Sequence, residues 1–168
     1  YYDNGYFYYT RFEKEKQYPI YCRKKNLKSK EEVLIDVNIF SKGFEYYRVG
    51  SIDISPDNKI MAYSYDTLSR RLYTIKFINL ETGKEIGKSI TNTSGGVSWA
   101  NDNKTIFYDK KNIETLRNEK VFQFNLYNGQ AQQVFFEEDE TFNLNSYKTK
   151  SGKYIVISSS KTISDEYW

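Results

Sequence analysis

The sequence predicts an all-β protein of antiparallel four-stranded units, and three observations carry that expectation. Aromatic residues make up 18% of the 168 residues, led by Tyr 17 and Phe 11, while Pro is only 2; such a balance suits pleated, half-buried strands. A turn motif recurs: Asp57-Asn58-Lys59 and Asp102-Asn103-Lys104 stand 45 positions apart, each followed by an apolar run, 60–64 and 105–108. No apolar stripe of 3.6-residue period is long enough to bury a helix.

Taken in order, Asp3-Asn4-Gly5 before the aromatic run 6–9 reads as a turn between a first and a second strand, so the chain is expected to open partway through a unit. Residues 18–23 and 33–36 follow as third and fourth strands. The next unit begins with Ser55-Pro56-Asp57-Asn58-Lys59, has its third strand over 72–78, and turns at Asn79-Leu80-Glu81-Thr82-Gly83-Lys84. Its successor repeats the plan with Ala100-Asn101-Asp102-Asn103-Lys104, a strand over 121–124 and the turn Asn125-Leu126-Tyr127-Asn128-Gly129-Gln130. Thr-Gly and Asn-Gly supply the positive φ of tight hairpins. Lys150-Ser151-Gly152-Lys153 ahead of 154–158 is a third copy of the first turn. Four short strands in roughly 45 residues is the size of a β-propeller blade. With strands lettered A to D outward from the axis, the expected order is BCD, ABCD, ABCD, AB. Approximate blades span 1–46 (incomplete), 47–92, 93–140 and 141–168 (incomplete). A ring needs about four to eight blades, so these three or so are expected to be a partial propeller.

The residue inventory excludes several chemistries. With His 0 and Cys 1, the chain can hold no Ser-His-Asp or Cys-His pair and no imidazole metal ligand. Cys22 alone makes neither an internal disulfide nor a thiolate metal cage. No cofactor and no metal is expected, and the cytoplasm is the expected compartment, with the periplasm or secretion left open because the first residue is Tyr1. Lys+Arg 25 against Asp+Glu 22 leaves +3, too weak a field to call for nucleic acid. The longest clean aliphatic run, Ile155-Val156-Ile157, falls far short of a bilayer span; no membrane partner is expected.

In an up-and-down meander the A-to-B and C-to-D turns share one face, while B-to-C and D-to-A connections share the other. The long connections, 12–17, 38–46, 66–71, 87–96, 110–120 and 137–141, all fall in the second set. Loop length and variety concentrate where function sits, so this long-loop face is the candidate contact surface. Arg70, Arg71 and Arg117 lie on it and suit bidentate pairing with carboxylates of a neighbouring domain, against the plainer reading of surface arginines. Glu137, Glu138 and Asp139, with Glu140, suit a basic peptide, against the plainer reading of a solvated connection. Lys24, Lys25, Lys28 and Lys30 read as solubility and edge protection rather than a phosphate site. Cys22 reads as a small buried group and the aromatic run 6–9 as packing. Asn92-Thr93-Ser94 and Asn103-Lys104-Thr105 match the glycosylation acceptor pattern, which matters only on a secretory route.

Tyr8-Tyr9-Thr10-Arg11, Tyr18-Pro19-Ile20-Tyr21-Cys22-Arg23-Lys24 and Glu32-Val33-Leu34-Ile35-Asp36 resemble the start of the propeller in the oligopeptidase B branch of the prolyl oligopeptidase family. The resemblance continues through Ser55-Pro56-Asp57, Arg70-Arg71-Leu72-Tyr73-Thr74, Asn79-Leu80-Glu81-Thr82-Gly83, Asn92-Thr93-Ser94-Gly95-Gly96, Trp99, Thr115-Leu116-Arg117 and Glu137-Glu138-Asp139, covering nearly the whole chain. One departure is the absence of a His near Val121-Phe122-Gln123-Phe124. The resemblance implies a seven-bladed propeller covering a separate α/β-hydrolase domain, whose Ser-Asp-His triad cuts short peptides after Arg or Lys. That domain would be the main partner, with an oligopeptide as substrate, and these residues would supply wall, gate and interdomain contacts.

Two other readings belong beside it: a stand-alone propeller that binds protein or peptide on the long-loop face, and a secreted adhesion piece. The first is separated from a peptidase by whether further blades and a Gly-x-Ser-x-Gly elbow follow in the coding sequence. Open strand edges also predict self-association.

Overall fold

The computed structural model describes residues 1–168, and strands account for nearly all its regular structure. The first unit, residues 1–47, is one antiparallel sheet in the order β1 (Tyr2–Asp3), β2 (Tyr6–Arg11), β3 (Ile20–Lys24), β4 (Glu32–Asp36). A β-bulge between Tyr21 and Cys22 opposes Ile35 and Val33 to them and leaves Leu34 as the extra residue. Leu34 and Ile35 therefore both reach the interior, with Tyr8, Ile20, Cys22 and Val37. Arg23 lies over the Tyr6 ring at 4.1 Å and pairs with Glu32 at 2.7 Å.

The second unit, residues 48–168, holds β5 (Arg48–Ile54), β6 (Ile60–Asp66), β7 (Tyr73–Asn79) and β8 (Glu85–Thr93) as one meander. It continues with β9 (Ser98–Trp99), β10 (Thr105–Lys111), β11 (Asn118–Asn125) and β12 (Ala131–Phe136), then β13 (Asn143–Lys148), β14 (Ile155–Lys161) and β15 (Ser164–Tyr167). Below, β5–β8, β9–β12 and β13–β15 are the second, third and fourth blades. A single bridge, Lys110 to Thr93, joins the second and third edge to edge. Strand alternation sends Ile75 and Phe77 of β7, Ile106 and Tyr108 of β10, and Phe124 of β11 into one shared core with Trp99.

The repeated turn has a physical cause. Asn58 and Asn103 sit at φ 63 and φ 59, and Gly152 takes the same place at φ +69. Asn and Gly are the residues that tolerate this left-handed position. In the first and last copies the residue there donates its N–H back three positions, Asn58 to Ser55 and Gly152 to Thr149, both at 2.8 Å.

The structure adds three elements to the sequence expectation. β1 gives the first blade an A strand, too short at two residues for any periodicity to announce. β15 gives the last blade a third strand, although Ser164–Tyr167 is exposed throughout and carries no inward alternation. Within the expected loop 38–46 a four-residue helix, α1 (Val37–Phe40), is capped by the Asp36 carboxylate on the Asn38 N–H.

Candidate functional site

The long-loop face of the second unit is built around carboxylates that shape its loops. Asp66 closes β6 and is 1% exposed. Its two oxygens accept from the N–H groups of Leu68 at 2.8 Å and Arg71 at 2.7 Å. These bonds hold Ser69 and Arg71 at φ 56 and φ 55, a conformation that costs a non-glycine residue on the order of 1 kcal/mol. The outcome is an exposed tip carrying Arg70 and Arg71. The Arg70 guanidinium donates to the Ile113 carbonyl at 3.4 Å, reaching the equivalent loop of the third blade. Burial lowers the pKa of Lys111, and the nearby Arg71 charge lowers it further while Asp66 opposes the shift. Arg70, Arg71 and Lys111 thus form one cationic cluster.

Arg117 has a different role. Its side chain is only 10% exposed, and its guanidinium is used inside the molecule. Nη1 donates to the carbonyls of Phe142 at 3.1 Å and Asp139 at 3.3 Å, and Nη2 to that of Glu137 at 3.2 Å. The Glu119 carboxylate stands 3.7 Å from Nη2 and is kept below its usual range first by its bond from Lys120. The acidic run folds around this centre: Glu137 accepts from the Ser159 hydroxyl at 2.6 Å and from the Asp139 N–H at 3.1 Å. Asp139 accepts from Thr141 and is held low by that hydroxyl. Glu138 and Glu140 remain exposed, and Glu140 lines a cleft of about 290 Å³ with Thr115, Leu116, Arg117 and Asn143. The structure therefore brings Arg117 and the acidic run together through backbone carbonyls, and sets Arg70 and Arg71 apart as the outward-facing arginines.

Other sequence-marked residues are tied into the fold. Cys22 is 1% exposed and burial pushes its thiol up to about 11. Thr93 of the first acceptor pattern is fully buried and donates to the Tyr73 carbonyl. The second pattern hides a feature that pattern-matching missed: the Asn103 side-chain oxygen accepts the Asp57 N–H at 2.9 Å, stapling one A-to-B turn to the next. Asn101 repeats the device, donating to the Gly152 carbonyl at 2.9 Å and accepting from Lys148. The signal is an Asn on either side of Asp102, which reads from sequence as turn chemistry alone.

Short turns on one face, shaped loops on the other and blades packed face to face define a segment of β-propeller. The chain belongs to the family described as Prolyl oligopeptidase, N-terminal beta-propeller domain, which matches residues 1–168. It is 35% identical to Dipeptidyl aminopeptidase BI of Pseudoxanthomonas mexicana, over 99% of this chain and 25% of that protein. It is 33% identical to Protease 2 of Moraxella lacunata, over 95% of this chain and 25% of that protein. Among solved structures it superposes on Oligopeptidase B from Leishmania major with a TM-score of 0.91 at 30% identity, covering 97% of this chain and 24% of that one. Oligopeptidase B from Trypanosoma brucei with covalently bound antipain, in its closed form, gives 0.88 at 25% identity, covering 99% and 24%. The chain spans about a quarter of the length of these curated relatives.

Proposed function

We propose that this chain is the screening portion of a serine oligopeptidase of oligopeptidase B type, which cleaves short peptides after Arg or Lys in the cytoplasm. The match of the propeller family over the full 168 residues, together with the oligopeptidase B fold at a TM-score of 0.91, carries the reading. Bond cleavage belongs to an α/β-hydrolase domain of the same polypeptide, because no residue here can serve as an imidazole base. The propeller acts by exclusion. Blades packed face to face make a wall that a folded protein cannot pass, while a flexible oligopeptide can, and domain closure then leaves a water-poor site. Arg70, Arg71 and Lys111 are the groups best placed to meet carboxylates of the hydrolase domain, being cationic, clustered and, for the two arginines, exposed.

The test is hydrolysis of an Arg-containing chromogenic peptide. This chain alone should give no turnover above buffer, and the same chain joined to its hydrolase domain should turn the peptide over. Activity of the isolated chain that survives repurification overturns the assignment. A second proposal concerns the unpartnered outer edges of β4 and β12, which support association through strand pairing. Light scattering across a dilution series checks it; a monomer at every concentration contradicts it.

A further inference from the structure

Two carboxyl groups, one buried and one half-buried, lie where consecutive blades meet, and neither has a cation. Asp53, on β5, faces the link that leads into β9. It accepts from the Ser51 hydroxyl at 2.8 Å and from the Val97 N–H. The same Ser51 oxygen stands 2.6 Å from the Gly95 carbonyl. A serine hydroxyl has one proton, so it cannot donate to an ionised Asp53 and to Gly95 at once. If Asp53 keeps its own proton, all three oxygens are satisfied: Asp53 donates to Ser51, and Ser51 donates to Gly95 across the seam.

Asp109, on β10, is a second carboxyl without a cation one blade later, bonded across its seam by hydroxyl and N–H donors alone, with no carbonyl competing for them. At 3% exposed it is the more completely sealed of the two, since Asp53 is only half-buried. One oxygen receives the Ser146 hydroxyl of β13, at 2.5 Å, and the other the Ser146 N–H at 3.3 Å. Ser94 approaches at 3.5 Å. No charged side chain acts on either carboxyl. The 94–97 link presents Gly95, Val97 and Ser94, β13 presents Ser146, and β11 opposes Asp109 with apolar Val121. The nearest basic residue of β13 in sequence, Lys148, is engaged with Asn101.

We propose that Asp53 and Asp109 are proton-operated fasteners, closing the second-to-third and third-to-fourth blade seams as neutral acids and loosening them when ionised. Burial pushes both groups up to about 6 from 3.8, against the pull of their hydroxyl and N–H donors. An aspartate whose pKa is raised by folding holds its proton more tightly in the folded state. Its contribution is complete below the unfolded value near 4 and is lost as pH rises toward 6. In the peptidase reading such seams set how far the ring yields to an entering peptide; the fasteners themselves stand independently of that reading.

Amide hydrogen exchange on the intact protein, corrected for intrinsic rates, tests the seams with no peptide cleavage involved. Between pH 5 and 7.5 the opening of segments 94–99 and 143–148 should rise on the order of tenfold. The double variant Asp53→Asn, Asp109→Asn, whose amides mimic the neutral acids, should stay flat. Equal slopes in both proteins, or opening that grows on acidification, overturns the proposal. Carbon-13 titration of the aspartate carboxyls in the unmodified protein gives a second readout that needs no variant. Two midpoints near 6 support the fasteners, and midpoints for both groups below 4.5 remove them.

Discussion

Between the second and third blades Phe77 lies edge-on to Trp99 at 6.3 Å and stacks on Phe124 at 5.9 Å, inside a continuous apolar cluster. Between the third and fourth, several crossing contacts are polar: Asp109 to Ser146, Asn118 to the Leu144 carbonyl at 2.9 Å, Arg117 to the 137–142 backbone, and Ser159 to Glu137. At the first seam Ser64 and Tyr73 approach Gly95 so closely that a side chain there would meet both at 3.0 Å. At the second, Asp109, which stands 45 positions after Ser64 in the repeat, spans the gap by bonding. One repeat thus makes two kinds of joint. Apolar burial gives the first seam a pH-independent foundation to which the Asp53 fastener is added, whereas hydrogen-bonded carbonyls and a lone carboxyl give the second a strength that depends on every partner staying in place.

The comparison can be broken at graded cost. Phe77→Ala removes a ring that is 1% exposed and should cost about 3–5 kcal/mol, with no pH dependence, read from urea unfolding at pH 5 and 7.5. Arg117→Ala leaves three carbonyls of the 137–142 connection without their donor and should cost about 2–3 kcal/mol. Limited proteolysis should then cut first within 137–142. Asn103→Ala loses the staple to Asp57 and places Ala at positive φ, for about 1 kcal/mol. Asn103→Gly keeps the turn and loses only the staple, so it should cost less. Lys148→Ala removes an exposed contact to Asn101 and should change stability by less than about 0.5 kcal/mol. A ranking with Lys148 above Arg117 would mean that the polar seam is held by surface charge rather than by the buried guanidinium.

The blades were legible because their turns carry chemistry that only a few residues can perform: Asn58, Asn103 and Gly152 at the left-handed position, and Thr82-Gly83 and Asn128-Gly129 in the outer hairpins. β1 and β15 were not, since two residues make no pattern and four exposed ones alternate with nothing. At the candidate site, Arg70 and Arg71 were legible as an outward pair on a long loop. Arg117 invited the same reading, but its partners are backbone carbonyls some 20 to 25 residues away, which leave no trace in side-chain identity. Asp53 and Asp109 were passed over for the same reason: their significance comes from Gly95 and Ser146, which only blade packing places beside them.

On the proposed function, this propeller screens what reaches a peptidase site. The most direct measurement compares the intact protein's rate on an Arg-containing oligopeptide with its rate on a stably folded protein displaying the same segment in an exposed loop. The account predicts rapid cleavage of the oligopeptide and none of the folded protein until that protein is unfolded. Equal rates on both would contradict it.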